Sequence, residues 1–211
     1  MLYYAVFTAF AMLAIGSNGK PTISKANEPK RCCIPKQFSA QISTSHGVKL
    51  PDGTITASYA YYNISYDGNR GMVGLKGVSF SIPDQQQSNL WIIENRNDGQ
   101  IYTIDQGSKQ CQKSQMPIQP LSCIPGIQNT ATYLHSSTYG YGDKQIIGDT
   151  WLVTNDNIVN YATVSRDDLC VPLSGHIFLP SVLTALTTTD FTLKIDDPSI
   201  FNIPAECQNA V

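Results

Sequence analysis

The sequence predicts a predominantly antiparallel β domain of nine to eleven strands, and three observations lead there. After residue 31 the chain is a succession of short segments in which apolar and polar side chains alternate, the period-2 signature of half-buried strands. Asp-Gly, Asn-rich and Gly-rich turns punctuate those segments. The long amphipathic helices that an α/β fold interleaves with its strands are missing from the pattern. With 211 residues, 42% of them hydrophobic and 14% charged, and a net charge of -2, the chain can fill one core. It lacks the basic stripe of a nucleic-acid binder, so no nucleic-acid partner is expected.

The elements follow in chain order. Residues 1–19, MLYYAVFTAFAMLAIGSNG, hold an apolar run too short for a membrane span and ending in small residues, which reads as a signal peptide. Residues 20–31 are polar and contain proline, a linker into a single domain over 32–211. No later run is long and apolar enough to span a bilayer, so no transmembrane segment is expected. "TITASYAYYNISYD" is a strand with Ile55, Ala57, Tyr59 and Tyr61 on one side and Thr56, Ser58, Ala60 and Tyr62 on the other. "GMVGLKGVSFSI" is a glycine-rich strand offering Met72, Val78, Phe80 and Ile82 for burial, its glycines suggesting a bend or close backbone approach. "NLWIIENRNDGQIYTIDQ" is a hairpin turning between Asn95 and Gly99.

From Gln106 to Tyr133 prolines and two cysteines interrupt the alternation, and the stretch reads as a pinned loop. "DKQIIGDTWLVTN" and "NIVNYATVS" resume the strand pattern. "PSVLTALTT" fits either a helical stripe or, by its threonines, an extended chain. "DFTLKI" reads as a last strand.

Six cysteines, Cys32, Cys33, Cys111, Cys123, Cys170 and Cys207, suit structural disulfides in an exported chain. A bridge between Cys32 and Cys33 is disfavoured, because neighbouring Cα atoms lie about 3.8 Å apart and disulfides want about 5.5 Å. A thiolate metal site is disfavoured too, since the paired C-x(2–4)-C spacing of zinc sites is absent. Which distant partners the two adjacent thiols take is open at this level.

The "NIS" sequon makes Asn63 a candidate N-glycosylation site, against a plainer reading as an unmodified solvent-facing asparagine. "TNDNIVN" and "SRDDLC" make Asp156, Asp167 and Asp168 candidate calcium ligands, against a plainer reading as solvated turn carboxylates. Calcium is the one cofactor suggested, and none is required. No nucleophile-elbow, phosphate-loop or zinc-protease pattern appears, so no enzyme is expected. His135 reads as a hydrogen-bonding or surface residue, and His46 and His176, each beside glycine, as turn histidines. Eleven tyrosines, seven phenylalanines and two tryptophans lie along the strands. Tyr59, Tyr61, Phe80, Trp91, Ile93, Tyr102, Trp151 and Tyr161 are the candidate wall of an apolar ligand pocket, with core filling as the plainer alternative.

"CCIPKQF", "ISYDGNRGM", "DLCVPL" and above all "FTLKIDDPSIFNIPAEC", in that order between residues 32 and 207, resemble the ependymin and ependymin-related family. The resemblance implies two stacked, curved antiparallel sheets forming a half-open, barrel-like sandwich around an apolar pocket, like bacterial lipoprotein carriers. It also implies a secreted glycoprotein, lysosomal in some members, with calcium and lipid association, a homodimer, and no established reaction. Carried over, Cys33 would meet Cys170, Cys111 or Cys123 would meet Cys207, and Cys32 would take the remaining middle cysteine. The leading expectation is a secreted, disulfide-stabilised protein binding a hydrophobic or lipid-like molecule between two sheets, modulated by calcium. The alternative is an extracellular matrix or adhesion protein with a filled core, acting through its surface, calcium and a glycan.

Overall fold

The computed structural model describes residues 28–115, 131–155 and 158–207. The expected leader, most of the linker, Cys123 and Asp156 lie outside the described residues. Eleven strands form: β1 (Gln37–Lys49), β2 (Ile55–Asp67), β3 (Met72–Ile82), β4 (Gln87–Asn95), β5 (Gln100–Asp105), β6 (Cys111–Gln115), β7 (Thr132–Tyr141), β8 (Lys144–Asn155), β9 (Ile158–Ser165), β10 (Pro172–Leu179) and β11 (Val182–Thr192). Two 3-10 turns follow, Pro198–Phe201 and Ala205–Cys207. "PSVLTALTT" is therefore strand, as its threonines favour, and "DFTLKI" begins within the end of β11. The stretch read as a pinned loop contains the short strand β6.

The strands build one antiparallel sheet in the order β6-β5-β4-β3-β2-β1-β11-β10-β9-β8-β7. This overturns the expected pair of stacked, curved sheets in a barrel-like sandwich. The sheet is single and open, neither closed nor strongly curled. The physical reason lies in β1 and β11. Two meanders, β1–β6 and β7–β11, would make two layers if they separated, but β1 pairs with β11 from Val48↔Val182 to Ser39↔Thr192. Their first and last strands thus fuse them edge to edge. A bulge between Ser39 and Gln41 leaves Asp190 at φ 51°, and Phe191 beyond it stacks on Phe38 at 5.0 Å.

Period-2 alternation gives the sheet two unlike faces. The inner face carries the main core: Phe38, Ala40 and Ile42 on β1, Ala60, Tyr62, Ile64 and Tyr66 on β2, Val73 and Leu75 on β3, Leu90 and Ile92 on β4 and Ile101 on β5, all buried. Trp151, Ala162 and Val164 continue it on β8 and β9. The outer face is split. Over β3–β6 it holds Met72, Ile93 and Ile104 beneath Ile200 and Phe201 of the C-terminal segment. Over β2, β10 and β11 its large side chains face water.

Two disulfides pin segments to the sheet. Cys111 bonds Cys207, fixing the C-terminal turn to β6 on the outer face. Cys32 bonds Cys170 at one end of the inner face, where Ile34 packs against both inner clusters. The partner of Cys170 is therefore Cys32 and not Cys33, which corrects the family-derived pairing. Cys33 is itself disulfide-bonded.

Candidate functional site

The sheet register sets the inner face out in rows running across the strands. At one end lie Phe38, Tyr66, Val73, Glu94 and Ile101, each opposite the next. The middle rows contain Ile64, Leu75 and Ile92, then Ile42 and Tyr62. These positions are almost wholly buried, at 1–6% exposure. The most extensive contacts between elements are those of sheet neighbours, and the two 3-10 turns pack on the outer face. The middle of the inner face is thus mainly apolar and almost wholly buried.

The Phe38 end is closed. The segment from Ile34 to Arg31 starts there and runs over the β8–β9 part of the inner face, Ile34 packing against both inner clusters and the Arg31 guanidinium 4.9 Å from the ring centroid of Trp151, which lies in the row of Thr44 and Ala60. A buried ion pair sits at the Phe38 end as well, Arg96 donating to Glu94 Oε2 at 2.9 Å with both side chains 2% exposed. Burial pushes the Glu94 carboxyl above its usual range, against the opposing pull of Arg96. Burial likewise raises the Tyr66 phenol to about 12.

The opposite end faces the hairpin turns and is wetter. Thr56, Val48, Val182 and Leu179 form a half-buried row there. One row further in are Ser81, Ser58, His46, Thr184, Ile177 and Asn160. His46 is thus a buried mid-strand residue and not the turn histidine its neighbouring glycine suggested. His176 is also within a strand, β10, and exposed. His135 lies on edge strand β7 with Nδ1 3.2 Å from Ser137 Oγ.

The eight expected wall residues divide three ways. Trp151 alone is on the inner face. Trp91, Ile93 and Tyr102 are on the outer face within the cluster under the C-terminal segment, where Trp91 Nε1 donates to the Ile200 carbonyl at 2.9 Å. Tyr59, Tyr61, Phe80 and Tyr161 lie on the outer face outside that cluster. Register brings Phe80, Tyr59, Ser45, Ala185, His176 and Tyr161 into one row, with Tyr61 against Phe80 at 6.4 Å and Tyr161 against Phe178 at 5.9 Å. Tyr59, Tyr61, Phe178, Leu183 and Ile82 there are 41–50% exposed.

Sequence reasoning missed Phe38, Ile42, Tyr62, Ile64 and Leu75. The signal was present in β1, where Phe38, Ala40 and Ile42 alternate with polar residues. It was masked in β2, where both strand faces carry tyrosine.

Asp167 spends one carboxylate oxygen on the turn before Cys170, accepting from Ser165 Oγ at 2.5 Å and from the Leu169 amide at 3.2 Å. Asp168 is exposed. Among the described residues no three His, Cys, Asp or Glu side chains converge as metal ligands. The nearby Asp149 is buried and held by Arg166 at 2.7 Å and by the Ser136 hydroxyl at 2.6 Å. This tie joins β7, β8 and the loop after β9. Among the described residues no helix is long and apolar enough to cross a membrane.

Fold and site together define an all-β, disulfide-locked domain with one buried, mainly apolar sheet face. The chain belongs to the Ependymin family, whose model matches residues 84–207, more than half of its length. No curated protein matches the sequence. Among solved structures, the Mycobacterium tuberculosis lipoprotein LppX is similar at TM-score 0.44 and 11% identity, over 75% of this chain and 88% of that one. A LolA superfamily protein from Nitrosomonas europaea is similar at TM-score 0.33 and 9% identity, over 81% and 92%. Likenesses at these scores carry nothing about ligands.

Proposed function

We propose that this protein works in an oxidising, extracytoplasmic compartment and binds a hydrophobic or lipid-like molecule against the inner face of its single sheet. The observation that carries this reading is the buried row system from Phe38 to Ile42 and Tyr62, apolar but for Glu94, Thr103 and Thr188. Apolar ligand surface leaving water there contributes about 25 cal/mol per Å², so about 300 Å² yields about 7 kcal/mol before the costs of association. No bond chemistry is needed. Structural disulfides support the compartment, because such bridges persist where the surroundings are oxidising. Asn63 is exposed on the outer face of β2, as an N-linked glycan requires.

The test is native mass spectrometry of protein secreted by eukaryotic cells, followed by extraction and rebinding of the co-purified material. A lipid-sized adduct that returns on rebinding is expected. Protein that is always empty, and whose melting temperature no apolar probe shifts, would sink the reading.

A second reading, surface action through self-association, is favoured by the exposed outer row. Tyr59, Tyr61, Phe178, Leu183 and Ile82 form the sort of apolar patch that marks interaction sites. Its proposed occupant is a second copy of this chain, giving a homodimer. Light scattering would show a dimer that the double variant Tyr61→Glu/Phe178→Glu converts to monomer. A native protein monomeric at every concentration would end this second reading and leave the first intact.

A further inference from the structure

We propose that the inner face carries, one row inside its wetter rim, a His46-centred subsite for the uncharged, hydrogen-bonding head of an amphipathic ligand. The inference rests on the lipid-binding reading and specifies which lipids fit it. His46 is 3% exposed. Its Nδ1 lies 2.9 Å from Thr184 Oγ1, while its Nε2 is buried without a hydrogen-bond partner. Ser81 Oγ and both side-chain polar atoms of Asn160, in the same row, are also buried and unpartnered. Thr188 Oγ1, two pleats along β11, is another.

Buried polar atoms are ordinarily paired, so a row of unpaired ones on an apolar face implies that something else supplies the partners. Their placement suits a ligand head. The row lies between the half-buried rim of Val48, Val182 and Leu179 and the fully buried, mainly apolar rows, so a head there meets a cluster of polar groups next to the rim. From His46 back to Phe38 is eight residues of strand, about 27 Å, a run as long as an extended acyl chain.

The chemistry of the row selects the head. Burial lowers the basicity of His46, which keeps the imidazole neutral near pH 7. Its register neighbours from β3 to β9 are Ser81, Ser58, Thr184, Ile177 and Asn160, and the rows on either side carry Thr, Val, Leu, Ser, Ala and Gly. The Arg31 guanidinium comes closest to these rows, over Trp151 one row further in, but it is already paired with Glu28 at 2.6 Å, and the buried Arg96 is at the far end, bound to Glu94. A carboxylate or phosphate would be desolvated uncompensated. Hydroxyl and amide heads both donate and accept, and an ester carbonyl accepts, matching Ser81, His46 and Asn160.

The experiment titrates delipidated full-length protein at pH 7.5 with three probes of one chain length: 1-monooleoylglycerol, oleic acid and 1-octadecene. Monooleoylglycerol should bind at least about ten-fold more tightly than oleate. His46→Phe should remove about that factor for monooleoylglycerol while leaving octadecene unchanged. Because the substitution can perturb folding, the imidazole 15N resonances of His46 in the native protein give an independent readout. They should move with monooleoylglycerol and not with octadecene. Equal affinities for the three probes, or a His46 ring blind to the glyceride, would overturn the subsite while leaving lipid binding standing. Failure of all three to bind would overturn both.

Discussion

Cys32 is bonded to Cys170 across 138 residues, with the two Cα atoms 5.7 Å apart. The bridge holds the N-terminal segment on the inner face, packed with Trp151, and joins the first described segment to the loop between β9 and β10. A loop of that length should contribute about 5 kcal/mol in the chain-entropy model, with measured values for native bridges commonly about 2–5 kcal/mol. The double variant Cys32→Ser/Cys170→Ser is therefore expected to lose stability in that range in urea titrations. It should also expose Trp151, read as a red-shifted fluorescence maximum and faster collisional quenching. A bridge that merely decorates the surface would leave both unchanged.

The all-β class, the hairpin of β4 and β5 and the paired states of the cysteines were legible in the sequence because each rests on local chemistry: alternation, turn residues and thiol spacing. What was not legible is long-range. Nothing local says that β1 will take β11 as a neighbour, and that single pairing decides between one open sheet and two stacked ones. The same limit applies to β2, where tyrosines at 59, 61, 62 and 66 make either face a candidate for burial. Only pairing with Ile42 and Leu75 settles that Tyr62 and Ile64 turn inward. Cys32 and Cys33 alternate faces as neighbours in an extended chain do, so the choice of which meets Cys170 depends on the approach of the segment, which no spacing rule encodes.

Glu94 and Arg96 make a buried pair at the end of the inner face, and Arg96 Nε and one terminal nitrogen have no hydrogen-bond partner. Desolvation makes such a pair weak evidence for net stability, but removing one partner strands the other charge. Glu94→Ala should therefore cost about 3–5 kcal/mol by urea denaturation. The double replacement Glu94→Leu/Arg96→Met should cost less than Glu94→Ala alone, because it removes both charges from the dry interior. A double variant worse than the single one would show that the pair contributes attraction beyond its desolvation cost.

Gly74 has no room for a side chain. A Cβ there would lie 2.8 Å from Ile200 Cγ1 and Cγ2 and 3.1 Å from the Ile200 carbonyl oxygen. Since Ile200 is the residue whose carbonyl accepts from Trp91, Gly74→Ala should lift the Pro198–Phe201 turn from the outer face at a cost of about 1–3 kcal/mol. Hydrogen exchange would report it as lost protection around residues 198–207 with the inner strands β1 and β2 little changed. Restoring space with Gly74→Ala/Ile200→Val should recover part of the loss.

His46 gives the stability a dependence on acidity. Its folded-state pKa is pushed below the ordinary value of 6.5 by burial, so the neutral ring is the form that folding favours. The stabilisation is complete above about pH 6.5, where the unfolded chain is also neutral, and is lost as pH falls from there through the lower folded-state pKa. Glu94 runs the other way: its pKa is raised above 4.5 by desolvation, so its protonation in the folded state favours folding as pH falls. The net slope mixes the two, and the His46 share must be isolated by substitution. Urea midpoints between pH 7.5 and 5 for native protein and for His46→Gln, which keeps a polar but non-titrating side chain, should diverge as acid is added. The native midpoint should fall further than that of the variant, and the gap between them should change monotonically through the window. Parallel curves would mean that the imidazole takes up its proton as readily in the folded protein as in the unfolded chain, which its burial between Ser58 and Thr184 does not permit.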